Sequence, residues 1–155
     1  HVGVLNDLEA AQKRCVKWVY GVSPLDSWSE REYYNKLVTL RILPIREQFY
    51  FNDMKFLFKI VHGLAPYDLP NYICLALPTD YPYRSRHNKD IVDGVDSTTI
   101  KCTVDPCTST FRNGFFYRSV KSWNSIPYEI RQASSYASFC FRFKCHIFNS
   151  LSDHV

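Results

Sequence analysis

Four cysteines and a histidine are the residues of this 155-residue chain whose side chains could bind zinc. They are Cys102, Cys107, Cys140, Cys145 and His146. Four residues separate the two cysteines of each pair, which is the wide end of the spacing in structural zinc sites. Cys145 and His146 are adjacent, so on a helix they would point in different directions. We therefore do not expect a zinc site.

Other catalytic chemistries have even weaker signals. A cysteine nucleophile could be assisted by His62, His87 or His146, but no known local signature surrounds any cysteine. No close pair of acidic residues stands in an apolar strand, as two-metal chemistry would need. None of the five glycines precedes a Lys-Ser or Lys-Thr pair, so a phosphate-binding loop is not expected. We expect no catalytic residue, no metal and no cofactor in this chain.

Basic residues interleaved with aromatic ones are the remaining candidates. Over 111–146 there are six basic residues and one acidic residue, a surplus larger than the net charge of +4 for the whole chain. Such mixtures suit phosphate contact and base stacking, although an ordinary solvated basic surface is the alternative. The candidate nucleic-acid contacts are Lys13, Arg14, Lys17, Arg84, Arg86, Arg112, Arg118, Lys121, Arg142 and Lys144.

The composition limits the class of protein. A hydrophobic fraction of 46% and an aromatic fraction of 16% predict a folded domain and exclude a low-complexity chain. No apolar run is long enough to span a bilayer, so we expect no membrane partner. Six cysteines permit a secreted, disulfide-linked domain, but most of them stand in apolar runs that suit reduced thiols. We expect an intracellular protein of the nucleus or cytoplasm.

Three helices are predicted in the first part of the chain. Apolar residues recur at helical spacing over 5–20 and over 45–62. Between these two segments, another helix is predicted to begin at a cap, Ser27 or Ser29, and to run to about Leu40. Glycines follow the first and third segments and would end them. The third segment has two apolar stripes, Phe49, Phe56 and Ile60 in one and Tyr50, Met54, Leu57 and Val61 in the other. We therefore expect it to be covered on most sides.

The middle of the chain, 64–110, is predicted to be a proline-rich connection. Only Ile100 to Val104 alternates as a short strand does, and Asp90 to Val95 is the one local candidate for its partner.

Helices return over 111–149. Phe116, Val120 and Trp123 share one helical face, and Asn124 and Pro127 end that helix. Pro127 suits the first turn of a short following helix. A last helix, capped by Ser134 or Ser135, buries the stripe Phe139, Phe143 and Ile147. The fold class expected is mainly α, a helical bundle of about five to six helices with a long Pro-rich connection and a small β element, forming a single region.

The stretch from Phe115 to Pro127 resembles the C-terminal end of the reverse transcriptase of non-LTR retrotransposons of the LINE or Jockey type. In that family an aromatic-Arg helix leads into Trp-Asn-x-Leu-Pro, an acidic-aliphatic turn, a serine pair and Phe-Lys. The corresponding residues are Trp123, Asn124, Ile126, Pro127, Glu129, Ile130, Ser134, Ser135, Phe143 and Lys144. Ile126 replaces the leucine, and Cys140 stands where the family often has lysine.

The resemblance extends in order to the N-terminal part. It includes Leu8-Glu9 with Gln12-Lys13-Arg14, Leu43-Pro44-Ile45-Arg46, Phe58 to Gly63, and Arg84-Ser85-Arg86. What it implies is a non-catalytic segment that follows the polymerase domain of an RNA-directed DNA polymerase. The polymerase carboxylates, and the Mg²⁺ they would need, belong to the upstream domain. The implied partners are RNA or DNA and that upstream domain. An alternative is a structural or protein-interaction module, including a relic retained by a host.

Overall fold

The computed structural model describes residues 2–76, 97–103, 108, 110, 112 and 114–153. Its elements, in chain order, are α1 (Val2–Val19), α2 (Glu30–Leu40), α3 (Ile45–Val61), β1 (Ile73–Leu75), β2 (Ile100–Cys102), α4 (Phe115–Asn124), α5 (Tyr128–Arg131) and α6 (Tyr136–Asp153). The protein is mainly helical with a small two-stranded sheet, which confirms the predicted fold class. Among the described helices, none is long and apolar enough to cross a membrane.

The chain divides into two compact units. The first comprises His1–Asn52 with Lys144–Val155, and the second comprises Asp53–Phe143. The division falls within α3 and within α6, so each of these helices contributes to both units.

Helices α1 and α2 pack together in the first unit. Val16, Tyr33 and Leu37 are buried against each other. The hydroxyl of Tyr33 lies 2.8 Å from a carboxylate oxygen of Glu9, and burial, reinforced by this bond, raises the pKa of the phenol. The other carboxylate oxygen of Glu9 accepts a hydrogen bond from the backbone N–H of Ile45 at 2.8 Å. Glu9 thus links α1 to α2 and to the start of α3.

The start of α2 has the predicted cap, and Ser29 rather than Ser27 provides it. The Ser29 hydroxyl accepts a bond from the Glu32 N–H, and the Glu32 carboxylate accepts one from the Ser29 N–H at 2.8 Å. This reciprocal pair satisfies two backbone donors that the helix itself leaves unbonded. Helix α2 ends at Leu40, and its C-cap Arg41 has a φ of 54°, in the left-handed region.

Helix α3 leaves two residues of its first apolar stripe exposed. Phe49 and Phe56 are 51% and 40% exposed, so the expectation that the helix is covered on most sides is wrong for them. The buried residues of the helix are Phe51, Met54, Leu57, Phe58 and Ile60. At 100° per residue Met54 and Phe58 point roughly opposite to Phe49 and Phe56, whereas Ile60 lies beside these two exposed rings. Apolar periodicity therefore located the helix, and the second stripe identified part of its buried side, but the pattern did not show that Phe49 and Phe56 would be exposed.

The two strands pair antiparallel, with Cys74 opposite Lys101. The predicted strand at Ile100 exists, but its partner is β1, which the sequence analysis did not identify. The candidate partner Asp90 to Val95 and the strand residue Val104 lie outside the described residues. Strands of three residues are too short to show alternation, so β1 has no usable sequence signal.

Aromatic residues of α3, α4 and α6 form the core of the second unit. Phe139 stacks on Phe58 with ring centroids 4.2 Å apart, and Trp123 lies 6.1 Å from Phe139 on another side. Trp123, Phe139 and Phe143 have no exposed surface, as the sequence predicted. Ser135 accepts a bond from the Ser138 N–H at 3.1 Å and so caps α6.

Candidate functional site

Helix α4 separates a buried side from a basic exposed side. Its residues Ser119 and Trp123 are buried, whereas Arg118 and Lys121 are exposed. Phe116 and Val120, expected in the core with Trp123, are half-buried. Since Arg118 and Lys121 lie three residues apart, their side chains are neighbours on one surface of the helix.

Two polar side chains at the end of α4 hold the segment that enters β2. The indole N–H of Trp123 donates to the Thr98 carbonyl at 2.7 Å. The side-chain oxygen of Asn124 accepts from the Ile100 N–H at 3.1 Å, and its amide nitrogen donates to the Ile100 carbonyl at 2.7 Å. The Trp-Asn pair, which the sequence analysis placed in the core or in the family motif, therefore has a defined structural role.

The residues after Asn124 continue this role. Ile126 is buried, and Pro127 stands at the N-terminal cap of α5 with φ of −52°. Arg131 is 3% exposed, and its Nε donates to the Ile126 carbonyl at 2.9 Å. Its Nη1 lies 3.3 Å from the Thr99 hydroxyl, and the Arg131 carbonyl is 2.8 Å from Nε2 of His62. Arg131 belongs to the basic surplus over 111–146, and nothing in the sequence distinguishes this buried arginine from an exposed one.

Arg118 is the candidate with the most defined geometry. Its guanidinium forms an ion pair with Asp53 at 2.9 Å and lies over the Phe115 ring, 5.9 Å from its centroid. Phe56 contacts Phe115 with centroids 5.5 Å apart. Burial raises the pKa of the Asp53 carboxyl, and the charge of Arg118 opposes that rise. This site thus combines an exposed cation, a partly buried acid and two aromatic rings.

Three other candidates of the second unit lie among the described residues, and all three are exposed. Arg112 and Lys121 are exposed, and Nη1 of Arg142 lies 3.3 Å from the Glu129 carbonyl. Arg84 and Arg86 lie outside the described residues.

The first unit contains Lys13, Arg14, Lys17 and Lys144. Lys17 is 6% exposed, and its ammonium donates to the carbonyls of Pro24, at 3.0 Å, and Asp26. A buried ammonium that holds a loop cannot contact phosphate, so the prediction that Lys17 contacts nucleic acid is wrong. Lys13 donates to the Trp28 carbonyl at 3.3 Å, and Lys144 lies over the Phe148 ring, 5.8 Å from its centroid. Arg14 is exposed.

A cavity of about 410 Å³ lies in the first unit. Its polar lining includes Glu9, Glu30, Glu47, Tyr34 and Arg46. Burial raises the pKa of the Glu47 carboxyl and of the Tyr34 phenol. Three carboxyl groups against one guanidinium make this cavity unsuited to a phosphate group.

The part of the chain that the structure describes contains no metal-binding cluster and no disulfide bond. There, no three His, Cys, Asp or Glu residues cluster as a metal site would require. Cys107, one of the residues weighed for zinc, is outside that part. Cys15, Cys74, Cys140 and Cys145 form no disulfide.

No protein-family model matches the chain, and comparisons with curated proteins and with solved structures found no significant match. The retrotransposon family therefore stays a prediction that depends on the Trp123 to Pro127 block and its context.

Proposed function

We propose that this chain is the non-catalytic C-terminal segment of a non-LTR retrotransposon reverse transcriptase, and that α4 contacts template RNA or target DNA. The sequence resemblance over 115–127 supports the family. The exposed basic side of α4 supports the contact. Such a segment would also brace the upstream polymerase domain, and it would act in the nucleus or cytoplasm with that domain.

The observation that carries this proposal is the fixed orientation of α4. Trp123 and Asn124 bind the backbone at Thr98 and Ile100, and this holds the opposite, basic side of the helix outward. Cations on an immobile helix lose less conformational entropy on binding than cations on a loop do. Arg118 and Lys121 are therefore suited to contact successive phosphate groups.

Aromatic rings beside Arg118 add a second kind of contact. The partly exposed rings of Phe56 and Phe115 lie next to the guanidinium. Exposed aromatic rings stack on unpaired bases, and arginine contributes cation–π interactions to such sites. The combination supports a nucleic acid as the ligand rather than a small anion.

Salt-dependent binding tests the proposal. The purified chain would be titrated into labelled single-stranded RNA, single-stranded DNA and duplex DNA over a series of salt concentrations. We expect the variant Arg118→Gln with Lys121→Gln to reduce the slope of log K against log salt by about 2, since each lost phosphate contact contributes about 1.

The matched control removes two charges elsewhere. Arg31 and Arg46 are exposed in the first unit and are not among the candidate contacts. Arg31→Gln with Arg46→Gln should leave the slope unchanged. The contact would be refuted if the unmodified chain showed no salt-dependent binding. It would also be refuted if the control variant reduced the slope of log K against log salt as much as the α4 variant does.

A structural or protein-interaction module is the second candidate. It is favoured by the observation that Trp123, Asn124 and Ile126 are all used internally, so a fold requirement accounts for the motif. This candidate predicts that the α4 double variant retains every function of the chain. It also predicts that Trp123→Ala, which costs about 3–5 kcal/mol of stability, abolishes function. The α4 double variant therefore distinguishes the two candidates, since Trp123→Ala should abolish function under both.

A further inference from the structure

Helix α1 has a second apolar side that is exposed. Val4, Leu8, Ala11, Cys15 and Trp18 follow one another at alternating intervals of four and three residues. Val4 is 60% exposed, Leu8 is 40% exposed and Trp18 is 82% exposed. Cys15 is exposed as well, and Ala11 is half-buried. We name these five residues the α1 seam.

The seam is distinct from the side by which α1 joins its own unit. On that other side Val16 and Lys17 are buried, and Nε2 of Gln12 donates to the Leu43 carbonyl at 2.9 Å. At 100° per residue the centre of the seam lies about 130° around the helix from the centre of the packed side. Rotation of α1 to bury the seam would therefore break contacts that hold the unit together.

The spacing of the seam indicates a helical partner. Intervals of four and three residues are the a and d positions of a heptad, which keep one stripe facing a second helix. Soluble monomers seldom expose a contiguous apolar stripe of this length without an interaction partner. The partner expected is another amphipathic helix of similar length.

Charges beside the seam match a second copy of α1. Asp7 and Arg14 are exposed along one edge of the stripe, seven residues apart. In an antiparallel pair, Val4 faces Cys15 of the second copy and Leu8 faces its Ala11. Asp7 then lies beside Arg14 of the second copy, and the twofold axis generates the same contact a second time. Each copy therefore contributes the acid of one ion pair and the base of the other from the same surface.

Other pairings of two α1 helices lack this match. An antiparallel pair shifted by one heptad brings Arg14 against Arg14 of the other copy, which is repulsive. A parallel pair places Arg14 beside Val19, and Asp7 beside Gln12, whose amide already binds Leu43. We therefore propose that the chain associates with a second copy of itself through antiparallel α1 seams. This proposal is independent of the nucleic-acid contact.

Site-directed crosslinking tests the orientation. In the antiparallel pair Val4→Cys would place a thiol opposite Cys15 of the second copy, within the distance that a disulfide requires. Within one chain these positions are about 16 Å apart along the helix, so no internal bond can form. Mild oxidation of the full chain should yield a disulfide-linked dimer of Val4→Cys, and the added substitution Cys15→Ser should abolish it.

The unmodified chain distinguishes parallel pairing. Parallel seams bring Cys15 against Cys15, so a disulfide-linked dimer of the unmodified chain that disappears with Cys15→Ser would overturn the antiparallel arrangement. Failure of Val4→Cys to crosslink would overturn it as well.

Charge exchange tests the ion pairs under reducing conditions. Sedimentation equilibrium over a wide concentration range should show a monomer–dimer equilibrium for the unmodified chain. Asp7→Arg or Arg14→Asp alone should weaken dimerisation by about tenfold or more, since each loses two attractions and gains two repulsions. The double exchange should restore the original affinity, and circular dichroism would verify that every variant is folded.

Two results would refute the proposal that a second copy of the chain covers the α1 seam. One is an unmodified chain that remains monomeric at the highest concentration, which would leave the seam to a different protein such as the upstream domain. The other is a double exchange that fails to recover the affinity lost in the single variants.

Discussion

The side-chain amide of Asn124 forms a closed pair of hydrogen bonds with the backbone of Ile100, accepting at 3.1 Å and donating at 2.7 Å. On its other side β2 pairs with β1, with Ile100 opposite Leu75. The amide thus satisfies backbone groups that a third strand would otherwise bind. An open edge of a sheet is a site of unwanted strand pairing, and Asn124 closes it at this point with one side chain.

Replacement of Asn124 should reveal this function as a loss of stability. Asn124→Ala removes two hydrogen bonds and leaves the Ile100 N–H and carbonyl without that partner, which should cost about 2–4 kcal/mol. Urea unfolding followed by circular dichroism measures the change. Asn149→Ala, at an exposed position of α6, is the control and should change stability by no more than about 0.5 kcal/mol. Equal stabilities of the two variants would contradict the role of Asn124.

Trp123 should stabilise the chain through both its hydrogen bond and its volume. Trp123→Phe keeps an aromatic ring but leaves the Thr98 carbonyl without the indole donor and vacates part of the indole site, so we expect a loss of about 1–3 kcal/mol. Trp123→Ala also creates a cavity and should cost about 3–5 kcal/mol. Trp18→Phe is a matched exchange at a position that is 82% exposed. If Trp18→Phe destabilised the chain as much as Trp123→Phe does, the hydrogen bond of the Trp123 indole would not explain the loss of stability.

Lys17 should stabilise the loop between α1 and α2. Lys17→Met keeps most of the aliphatic stem but removes the ammonium that binds the carbonyls of Pro24 and Asp26. The variant should lose about 1–3 kcal/mol and should be cleaved faster by a protease in this loop. Arg31→Met, at an exposed position of α2, should leave both quantities nearly unchanged. Unaltered cleavage of Lys17→Met would show that the ammonium does not hold the loop.

Glu32 should make stability depend on pH. Hydrogen bonds from Ser29, chiefly from its backbone N–H, lower the pKa of the Glu32 carboxyl below its ordinary value of 4.5. A lowered pKa in the folded state stabilises the protein above the unfolded pKa, and this contribution is lost as pH falls through the folded pKa. Thermal midpoints of the wild type and Glu32→Gln, measured from neutral pH downward, should therefore converge below pH 4.5. A difference that did not change with pH would contradict this account.

Asp53 offers a gain-of-function test of the nucleic-acid proposal. Asp53→Asn removes the negative charge 2.9 Å from the Arg118 guanidinium and leaves that cation free to bind phosphate. We expect tighter binding of RNA or DNA, by about two- to fivefold at low salt, with the gain reduced at higher salt. Asp68→Asn, at an exposed position of the same unit, is the charge-matched control. If both variants gain equally, only net charge matters and Arg118 has no particular role.

Helix positions and caps could be predicted from the sequence because their signals are local. A cap at Ser27 or Ser29 located the start of α2 to within two residues, and the spacing of Phe139, Phe143 and Ile147 identified the buried side of α6. These features depend on residues within a few turns of each other.

Features that depend on distant residues could not be predicted. The pairing of Cys74 with Lys101 and the burial of Arg131 against Thr99 join residues far apart in sequence. The same limit affects the candidate site, because Lys17 reads as an exposed cation and Arg118 shows no sign of its ion pair with Asp53. Composition gives the number of charges, and only the fold determines which ones reach the solvent.

The positions of the tryptophans give each unit its own optical probe. Trp123 is wholly enclosed in the second unit, whereas Trp18 in the first is almost fully open to water. Indole emission moves to longer wavelength in water, so quenching by a dissolved agent should act on Trp18 and spare Trp123 in the native state. Because Trp28 also lies in the first unit, Trp28→Phe would be combined with Trp18→Phe or with Trp123→Phe to leave a single tryptophan. Fluorescence of these double variants could follow the loosening of either unit without any added label.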